Sequence, residues 1–500
     1  MGGPDGWSPP FSGHRIRLIG RLIRLLYSAL RVRLARWRGM KLYAAPLNFR
    51  AIAREFSVPT DFAPPVLEEA AQLEDQFAAA RIDARSIPLV TIDPPGSRDL
   101  DQAVHIATRS AGYTVTYAIA DVAAFVEPFG AVKDESLKRG QTIYLPDEPA
   151  RLHPPALSED AASLLPDVDR PAVLWTFELD ERGEVEYAHV ERALVHSVAR
   201  LDYEGVHADF EAGTPHPSIA LLPEVGRLRQ GSSLRRKAIN LRLPSVRVGG
   251  DADTFELFIE PRHPVMDYNS EISLMTGMVA GRMMVEAGVG FLRTLGPATR
   301  EAEAEFRREA ANLGYEVRGE IGEFLAGIDA DTPRGMAMMR EAQKLLRGAG
   351  YVDLAEKEAE VHAGIGGYYS HVTAPLRRLV DRYATEVCLA ICAGQDIPDW
   401  VRADAPRVLK TMGRTSQLAH TVDRACLNLT EATVLAPWVG HNFDGVTLQV
   451  NDADEARIFI ADPPVLAPSH GAPGEGTETK FSLVRADAAA REVAFAWPAD

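Results

Sequence analysis

The spacing of apolar residues changes twice along the chain, and this change constrains the fold more than any other sequence feature. Strand patterns mixed with short helices, among them a basic helix over 222–240, occupy residues 89–259. Helical spacing dominates from there to residue 435, and short strands with Gly/Pro turns follow from residue 442. Mixed strands followed by helices predict an α+β domain over residues 85–435. Residues 436–500 predict a small β-barrel of the OB type, either a single-stranded nucleic-acid platform or a structural cap.

Two further segments precede the α+β domain. Residues 1–39 form a basic extension in which arginines alternate with leucine and isoleucine. This composition suits an anionic membrane surface or RNA, whereas a natural start at Met40 would make the extension non-native. Residues 40–84 predict a small helical module with helices over 49–56 and 65–80, either a helix-turn-helix or a plain helical hairpin.

Composition narrows the class of protein. Formal charges sum to −16, a balance that does not favour a nucleic-acid binder but permits a local basic channel. Three cysteines exclude a disulfide framework and fit a reducing cytoplasm. No run of 18 apolar residues occurs, so we expect a cytoplasmic protein without a membrane partner.

Three carboxylates are concentrated in residues 91–103. Asp93 precedes a Pro-Pro-Gly turn signal, and Asp99 and Asp101 follow it. An extended backbone would place Asp99 and Asp101 on one face and Gln102 on the other. Carboxylate oxygens suit Mg²⁺ or Mn²⁺, so the spacing indicates either a metal site or a solvated acidic loop.

Four collinear stretches, residues 91–103, 117–123, 140–166 and 369–378, resemble motifs of the ribonuclease II (RNB-domain) family of 3′→5′ exoribonucleases. The similarity covers roughly residues 85–435, and the C-terminal barrel is similar in position to the family's S1 domain. Residues 40–84 are too short for the family's N-terminal cold-shock domains. The resemblance thus implies an RNB catalytic domain followed by an S1-like OB barrel.

The resemblance also implies roles for individual residues. The metal ligands would be Asp93, Asp99 and Asp101, with Gln102 at the position of a fourth aspartate. Catalysis would fall to Asp99, Asp101 and Arg377. The RNA-binding residues would be Tyr144, Tyr203, Glu271, Arg377, Arg378 and Asp423.

The function that follows from this resemblance is Mg²⁺-dependent, or Mn²⁺-dependent, 3′→5′ hydrolysis of single-stranded RNA to 5′-mononucleotides by a monomer. Metal ions activate water and neutralise phosphate charge, while an arginine adds phosphate contacts. Gln102 supplies no negative charge to such a site. The alternative is therefore a catalytically weak or inactive relative that binds RNA without cleaving it.

Overall fold

The computed structural model describes residues 47–498, except 233, 236–237, 243–244, 252–253, 260–261, 347 and 452–454. The basic extension over 1–39, and residues 40–46, lie outside the described residues. Strands and helices are mixed in the body of the chain, and a closed barrel follows. The predicted α+β class is confirmed.

A six-stranded sheet forms the centre of the body, with the strand order β1-β6-β2-β3-β4-β5. The sixth strand is long enough to pair with β5 along its first part and with β2 along its last part. The strands are β1 (Ile82–Asp83), β2 (Leu89–Asp93), β3 (Gln102–Arg109), β4 (Gly112–Ala120), β5 (Asp169–Leu179) and β6 (Val185–Asp202).

Both faces of this sheet are buried, and the side-chain sizes differ between them. Because successive side chains in a strand point to opposite faces, β4 directs Tyr117 and Ile119 into one core and Ala118 and Ala120 into another. The large side chains meet long helices, and the alanines allow two short helices to approach closely. The sheet is therefore the rigid layer on which the candidate site is built.

The strand-type patterns over 172–180 and 184–195, separated by a Glu-Arg-Gly turn at 181–183, predict a hairpin, and the antiparallel pairing of β5 with β6 confirms it. The apolar, β-rich sequence over 113–125 predicts a strand of that length, but β4 ends at Ala120. Asp121 turns the chain there and accepts hydrogen bonds from Arg81 at 2.9 Å and Arg192 at 3.0 Å. A buried ion network, which local sequence does not reveal, ends the strand.

Eleven helices of the α type are found in the described residues. None of them is long and apolar enough to cross a membrane. They are α1 (Phe49–Glu55), α2 (Pro64–Ala70), α3 (Ala131–Arg139), α4 (Tyr203–Ala212), α5 (Leu222–Gln230), α6 (Pro264–Ala287), α7 (Arg300–Asn312), α8 (Ile321–Ala326), α9 (Pro333–Ala342), α10 (Leu379–Ala393) and α11 (Asp399–Leu435). Two small antiparallel pairs join β7 (Val246–Asp251) to β8 (Thr254–Ile259) and β9 (Phe291–Thr294) to β10 (Gly350–Asp353).

The predicted second helix over 65–80 is also too long, since α2 ends at Ala70. The two N-terminal helices pack on different cores: Phe49 and Ile52 of α1 pack with α11 and the barrel, whereas Val66 of α2 packs on the alanine-rich face of the sheet. The helices therefore support other parts of the protein. The proposed division into units at 40–84, 85–435 and 436–500 stays a prediction.

The C-terminal strands close into a barrel in the order β11-β12-β13-β15-β14, as predicted for an OB type. Sequence reasoning missed β13, because Pro464 and Pro468 argue against a strand. Pro464 is its first residue, and a parallel pairing with β15 closes the barrel. The strands are β11 (Asn442–Val450), β12 (Glu455–Ala461), β13 (Pro464–His470), β14 (Glu478–Asp487) and β15 (Glu492–Ala496).

Glu431 is a buried carboxyl where α11 meets the barrel, with 5% of its surface exposed. Burial raises the pKa of this carboxyl to about 8, while Arg457 and the backbone N–H of Leu466 act in the opposite direction. The ordinary pKa of 4.5 is lower. The protonated carboxyl therefore contributes to the free energy of unfolding. This contribution is fully present below about pH 4.5 and is lost as the pH rises through about 8.

We accordingly expect Glu431→Gln to change the pH dependence of stability. The amide cannot ionise, so the variant gains stability relative to the wild type as the pH rises from about 5 to about 8. Urea unfolding of both proteins at the two pH values measures the difference. Parallel pH profiles for the two proteins would contradict the assignment.

Candidate active site

The first candidate ligand, Asp93, is the last residue of β2. The chain turns immediately, with the Ser97 N–H donating to the Pro94 carbonyl at 3.2 Å. Gly96 adopts a φ of +84°, in the left-handed region that favours glycine. Arg200 of β6 donates to the Ser97 carbonyl at 3.1 Å and holds the turn against the sheet. This turn brings the chain back toward Asp93.

The returning segment, residues 98–101, is held in place by the end of the 140–166 stretch. Ser163 accepts from the Leu100 N–H at 3.0 Å and donates to the Arg98 carbonyl at 2.5 Å. The Leu164 N–H donates to the Leu100 carbonyl at 3.0 Å. These bonds fix the backbone on both sides of Asp99.

Asp101 joins two motifs that lie far apart in sequence. Its carboxylate accepts a hydrogen bond from the Leu376 N–H at 2.8 Å and pairs with Nε of Arg377 at 3.3 Å. The side chain of Asp101 is 6% exposed, whereas that of Arg377 is 46% exposed. The guanidinium thus covers a buried carboxylate and still reaches solvent.

The three carboxylates share one electrostatic environment. Burial and the charge of Asp99 raise the pKa of Asp93 to about 6, against the effect of Arg377 and Arg200. Burial, with smaller contributions from Asp99 and Asp381, raises the pKa of Asp101 to about 8. Burial also raises the pKa of Asp99. A cation among these groups would relieve their repulsion.

The donor set fits a hard divalent cation in its chemistry. Asp93, Asp99 and Asp101 offer only oxygen atoms, and none of the described residues donates a hydrogen bond to the Asp93 carboxylate. In the ranges that the structure describes, however, no group of three His, Cys, Asp or Glu side chains is arranged to hold a metal ion. The predicted metal site therefore stays a prediction.

Gln102 does not extend this acidic set. Its amide Nε2 donates to the Thr373 carbonyl at 2.6 Å, and its Oε1 accepts from the buried hydroxyl of Tyr117. Burial, with the nearby Tyr203 and Asp93, raises the pKa of the Tyr117 hydroxyl well above its usual value. That hydroxyl therefore stays protonated and donates to Gln102.

The two adjacent arginines of residues 369–378, the late motif, have different environments. Arg378 donates to both carboxylate oxygens of Asp381, at 3.0 and 2.8 Å. Asp381 is fully buried and also accepts from the Ala374 N–H at 2.7 Å. Arg378 is thus committed to an internal pair, and Arg377 is the arginine that faces the carboxylates.

Of the predicted RNA-binding aromatics, Tyr144 lies at the carboxylates. It is 51% exposed, and its hydroxyl donates to Asp99 at 3.3 Å. Tyr203, the first residue of α4, accepts a hydrogen bond from Asn269 at 3.2 Å. An exposed ring beside a carboxylate can stack on a base while the carboxylate faces the sugar-phosphate backbone.

The remaining predicted RNA contacts lie elsewhere. Glu271 is 4% exposed and forms a buried ion pair with Arg235, whose Nη2 is 2.9 Å from the carboxylate. Asp423 is exposed on α11. Burial, then the charges of Asp423 and Asp147, raises the pKa of the Cys426 thiol to about 12. The roles assigned to Glu271 and Asp423 stay predictions.

Sequence reasoning missed three polar residues around the site: Tyr117, Asn269 and Ser273. The Ser273 hydroxyl lies 2.9 Å from the Thr373 hydroxyl, and the Tyr117 hydroxyl donates to Gln102. The four-residue spacing of Asn269 and Ser273 on α6 puts them on one helix face. Glu271, between them, points away. This helical spacing was the available signal.

Comparison with known proteins finds matches to the body of the chain and to its C-terminal barrel. Residues 81–391 match the RNB domain, and residues 441–497 match the RNase II-type exonuclease C-terminal S1 domain. Ribonuclease R of Chlamydia pneumoniae is 27% identical over 355 residues, covering 67% of this chain and 52% of that protein. The exosome complex exonuclease RRP44 of Homo sapiens is 26% identical over 333 residues, covering 63% of this chain and 35% of that protein.

Solved structures share the fold. Mycoplasma genitalium RNase R superposes with a TM-score of 0.81 at 17% identity, covering 90% of this chain and 77% of that one. Yeast Ssd1, described as a pseudonuclease, superposes with a TM-score of 0.69 at 16% identity, covering 87% of this chain and 56% of that one. The chain spans about half the length of the ribonuclease R relatives.

The RNB match includes β2, the turn after Asp93 and the late motif around Arg377. It extends over more than half of the chain, and the S1 match coincides with the barrel. The family resemblance read from residues 91–103 and 369–378 is therefore confirmed, and the chain belongs to the RNB family.

Proposed function

We propose that the chain is a Mg²⁺-dependent 3′→5′ exoribonuclease that hydrolyses single-stranded RNA to 5′-mononucleotides. The observation that carries this proposal is the contact of Asp101 with Leu376 and Arg377. It brings a buried carboxylate and a solvent-reaching guanidinium to the same point, beside Asp93 and Asp99. A phosphodiester needs both a place for cations and a positive partner for its oxygens.

In this proposal each side chain has a separate task. Asp93, Asp99 and Asp101 would hold Mg²⁺, or Mn²⁺, which when bound activates water and neutralises phosphate charge. The Arg377 guanidinium, always protonated, would bind the scissile phosphate. Tyr144 would stack on a base near the 3′ end. Tyr203 and Asn269 would offer hydrogen bonds to a ribose hydroxyl, the group that distinguishes RNA from DNA.

The test is a product analysis. A 5′-labelled single-stranded RNA is incubated with the protein in Mg²⁺ and, separately, in Mn²⁺. We expect a ladder of products shortened from the 3′ end and release of 5′-mononucleotides. Intact RNA in both metals, with binding still measurable, would refute the proposed hydrolysis. The same assay with DNA of identical sequence tests the reading of the ribose hydroxyl.

A second candidate function is RNA binding without cleavage. Gln102 supports it, because both ends of its amide are occupied within the protein and it adds no charge to the site. The fold likeness to yeast Ssd1, a pseudonuclease, shows that this architecture occurs without nuclease activity. Stable bound RNA in the product analysis would favour this candidate.

Tyr144→Ala is expected to weaken binding of single-stranded RNA measured by fluorescence anisotropy in EDTA. Stacking of a base on an aromatic ring contributes about 1–3 kcal/mol, so the affinity should fall roughly 5- to 150-fold. Tyr144→Phe is the matched control, since it keeps the ring and removes only the hydroxyl that contacts Asp99. Equal losses in both variants would contradict a stacking role.

A further inference from the structure

Gln102 is the side chain around the carboxylates whose chemistry the proposed hydrolysis does not use. It is the first residue of β3 and follows Asp101 directly. Its amide bridges two elements: Nε2 donates to the Thr373 carbonyl at 2.6 Å, and Oε1 accepts from the Tyr117 hydroxyl on β4. A glutamine that faces Tyr117 and Thr373 in this way is a tether between the sheet and the late motif.

The late motif is attached to the body at several points close to Thr373. The Thr373 hydroxyl lies 2.9 Å from that of Ser273 on α6. Further along, the Ala374 N–H donates to Asp381 and the Leu376 N–H donates to Asp101. The Gln102 bond connects Thr373 of this motif to the first residue of β3, which directly follows Asp101.

The amide also explains why glutamine suits this position. A backbone carbonyl only accepts hydrogen bonds, so the group facing Thr373 must carry a proton. A carboxylate at position 102 could still accept from Tyr117, but it would oppose the Thr373 carbonyl with a second acceptor. An unpaired buried acceptor costs stability and would displace the segment. A negatively charged residue is therefore incompatible with the geometry observed at Gln102.

We propose that Gln102 is a positioning residue that, by joining Tyr117 to Thr373, sets the placement of Arg377 against Asp101, and that it is not a ligand of the bound cation. The inference rests on the proposed exonuclease function for its kinetic consequences. Both ends of the Gln102 amide form hydrogen bonds within the protein, so Gln102 can affect the reaction only through the groups that it binds. Here it holds the segment that ends in Arg377.

The first test replaces Gln102 by glutamate, which has the same length. If Gln102 positions Arg377, kcat falls about 10- to 100-fold, as for other residues that orient a catalytic group. The KM for RNA and the half-saturating Mg²⁺ concentration stay within about threefold. A carboxylate that joins the metal site would instead maintain or raise kcat and lower the Mg²⁺ requirement, and that result would overturn the proposal. Gln395→Glu, at an exposed position, controls for the added charge.

The second test is a double-mutant cycle with Arg377→Ala. A residue that acts through Arg377 has no further effect on kcat once the guanidinium is gone, so the two losses are strongly non-additive. Fully additive losses would overturn the proposal. Tyr117→Phe keeps the ring and removes only the hydroxyl, and should give a smaller loss than Gln102→Glu because the bond to Thr373 remains. Thermal unfolding of each variant checks that the fold persists.

A third readout separates this inference from the proposed function. If the wild type yields no product ladder, hydrolysis is refuted, and metal-free RNA binding decides the role of Gln102. Arg377→Ala should then weaken RNA binding by a larger factor in the wild type than in Gln102→Glu, where Arg377 is already displaced. Equal factors in the two backgrounds would overturn the positioning role.

Discussion

Asp101→Asn is expected to abolish hydrolysis, with a loss in kcat on the order of 10³-fold or more, while RNA is still bound. The carboxylate is the point where the Leu376 N–H and Arg377 converge. Asparagine keeps an oxygen that can accept from Leu376 but removes the charge that a cation and the guanidinium require. Gel analysis of a labelled RNA measures the loss in kcat, and anisotropy in EDTA measures the affinity.

The fold provides the control for this variant. Burial raises the pKa of Asp101 to about 8, so the charged carboxylate is costly in the absence of a cation. We therefore expect Asp101→Asn to unfold at the same temperature as the metal-free wild type or higher. Retention of near-normal turnover would rule out the proposed role of Asp101.

Arg378→Ala should mainly reduce stability and Arg377→Ala should mainly reduce kcat, although the two residues are adjacent. Removing Arg378 leaves Asp381, a fully buried carboxylate, without its ionic partner. Breaking such a buried pair costs about 3–5 kcal/mol of unfolding free energy. Removing the half-exposed Arg377 should cost under about 1 kcal/mol of stability, while reducing kcat roughly 10²- to 10³-fold.

Urea unfolding and the product assay, applied to both variants, measure this contrast. Each variant serves as the control for the other, since both remove one arginine from the same segment. Equal stability losses would contradict the distinction drawn between the internal pair and the arginine facing the carboxylates. A stable Arg378→Ala variant with weakened RNA binding would support the RNA-contacting role predicted for Arg378 from sequence.

The acidic stretch was predictable because its signal is local. Asp93, the turn and Asp101 lie within nine residues, and turn chemistry predicts the reversal between them. Strand periodicity was a weaker guide, because β3 begins only at Gln102, after Asp99 and Asp101. The contact of Asp101 with Arg377 spans almost the whole domain, and only the collinear family motifs indicated it. Physical reasoning from local pattern cannot supply a contact that tertiary packing creates.

The contacts and the strand that the sequence did not reveal have equally specific causes. Glu271, predicted to contact RNA, lies two residues from Asn269 on α6, about 200° around the helix axis. It therefore faces Arg235 instead of Tyr203. The hydrogen-bond partners of Gln102 depend on strand register and on a loop 271 residues away, so these bonds could not be predicted from the sequence. The strand β13 was hidden by prolines at positions that barrel closure tolerates.

The arrangement of α11 has a consequence for how the protein can be divided. Val422 and Cys426 of this helix share one apolar core with Phe49 of α1 and with Phe481 and Phe495 of the barrel. Separating the two parts at residue 435 would expose an apolar surface on each fragment. The barrel and the body should therefore lose their structure in one cooperative step, and an evolutionary exchange of the barrel would require matched changes along α11.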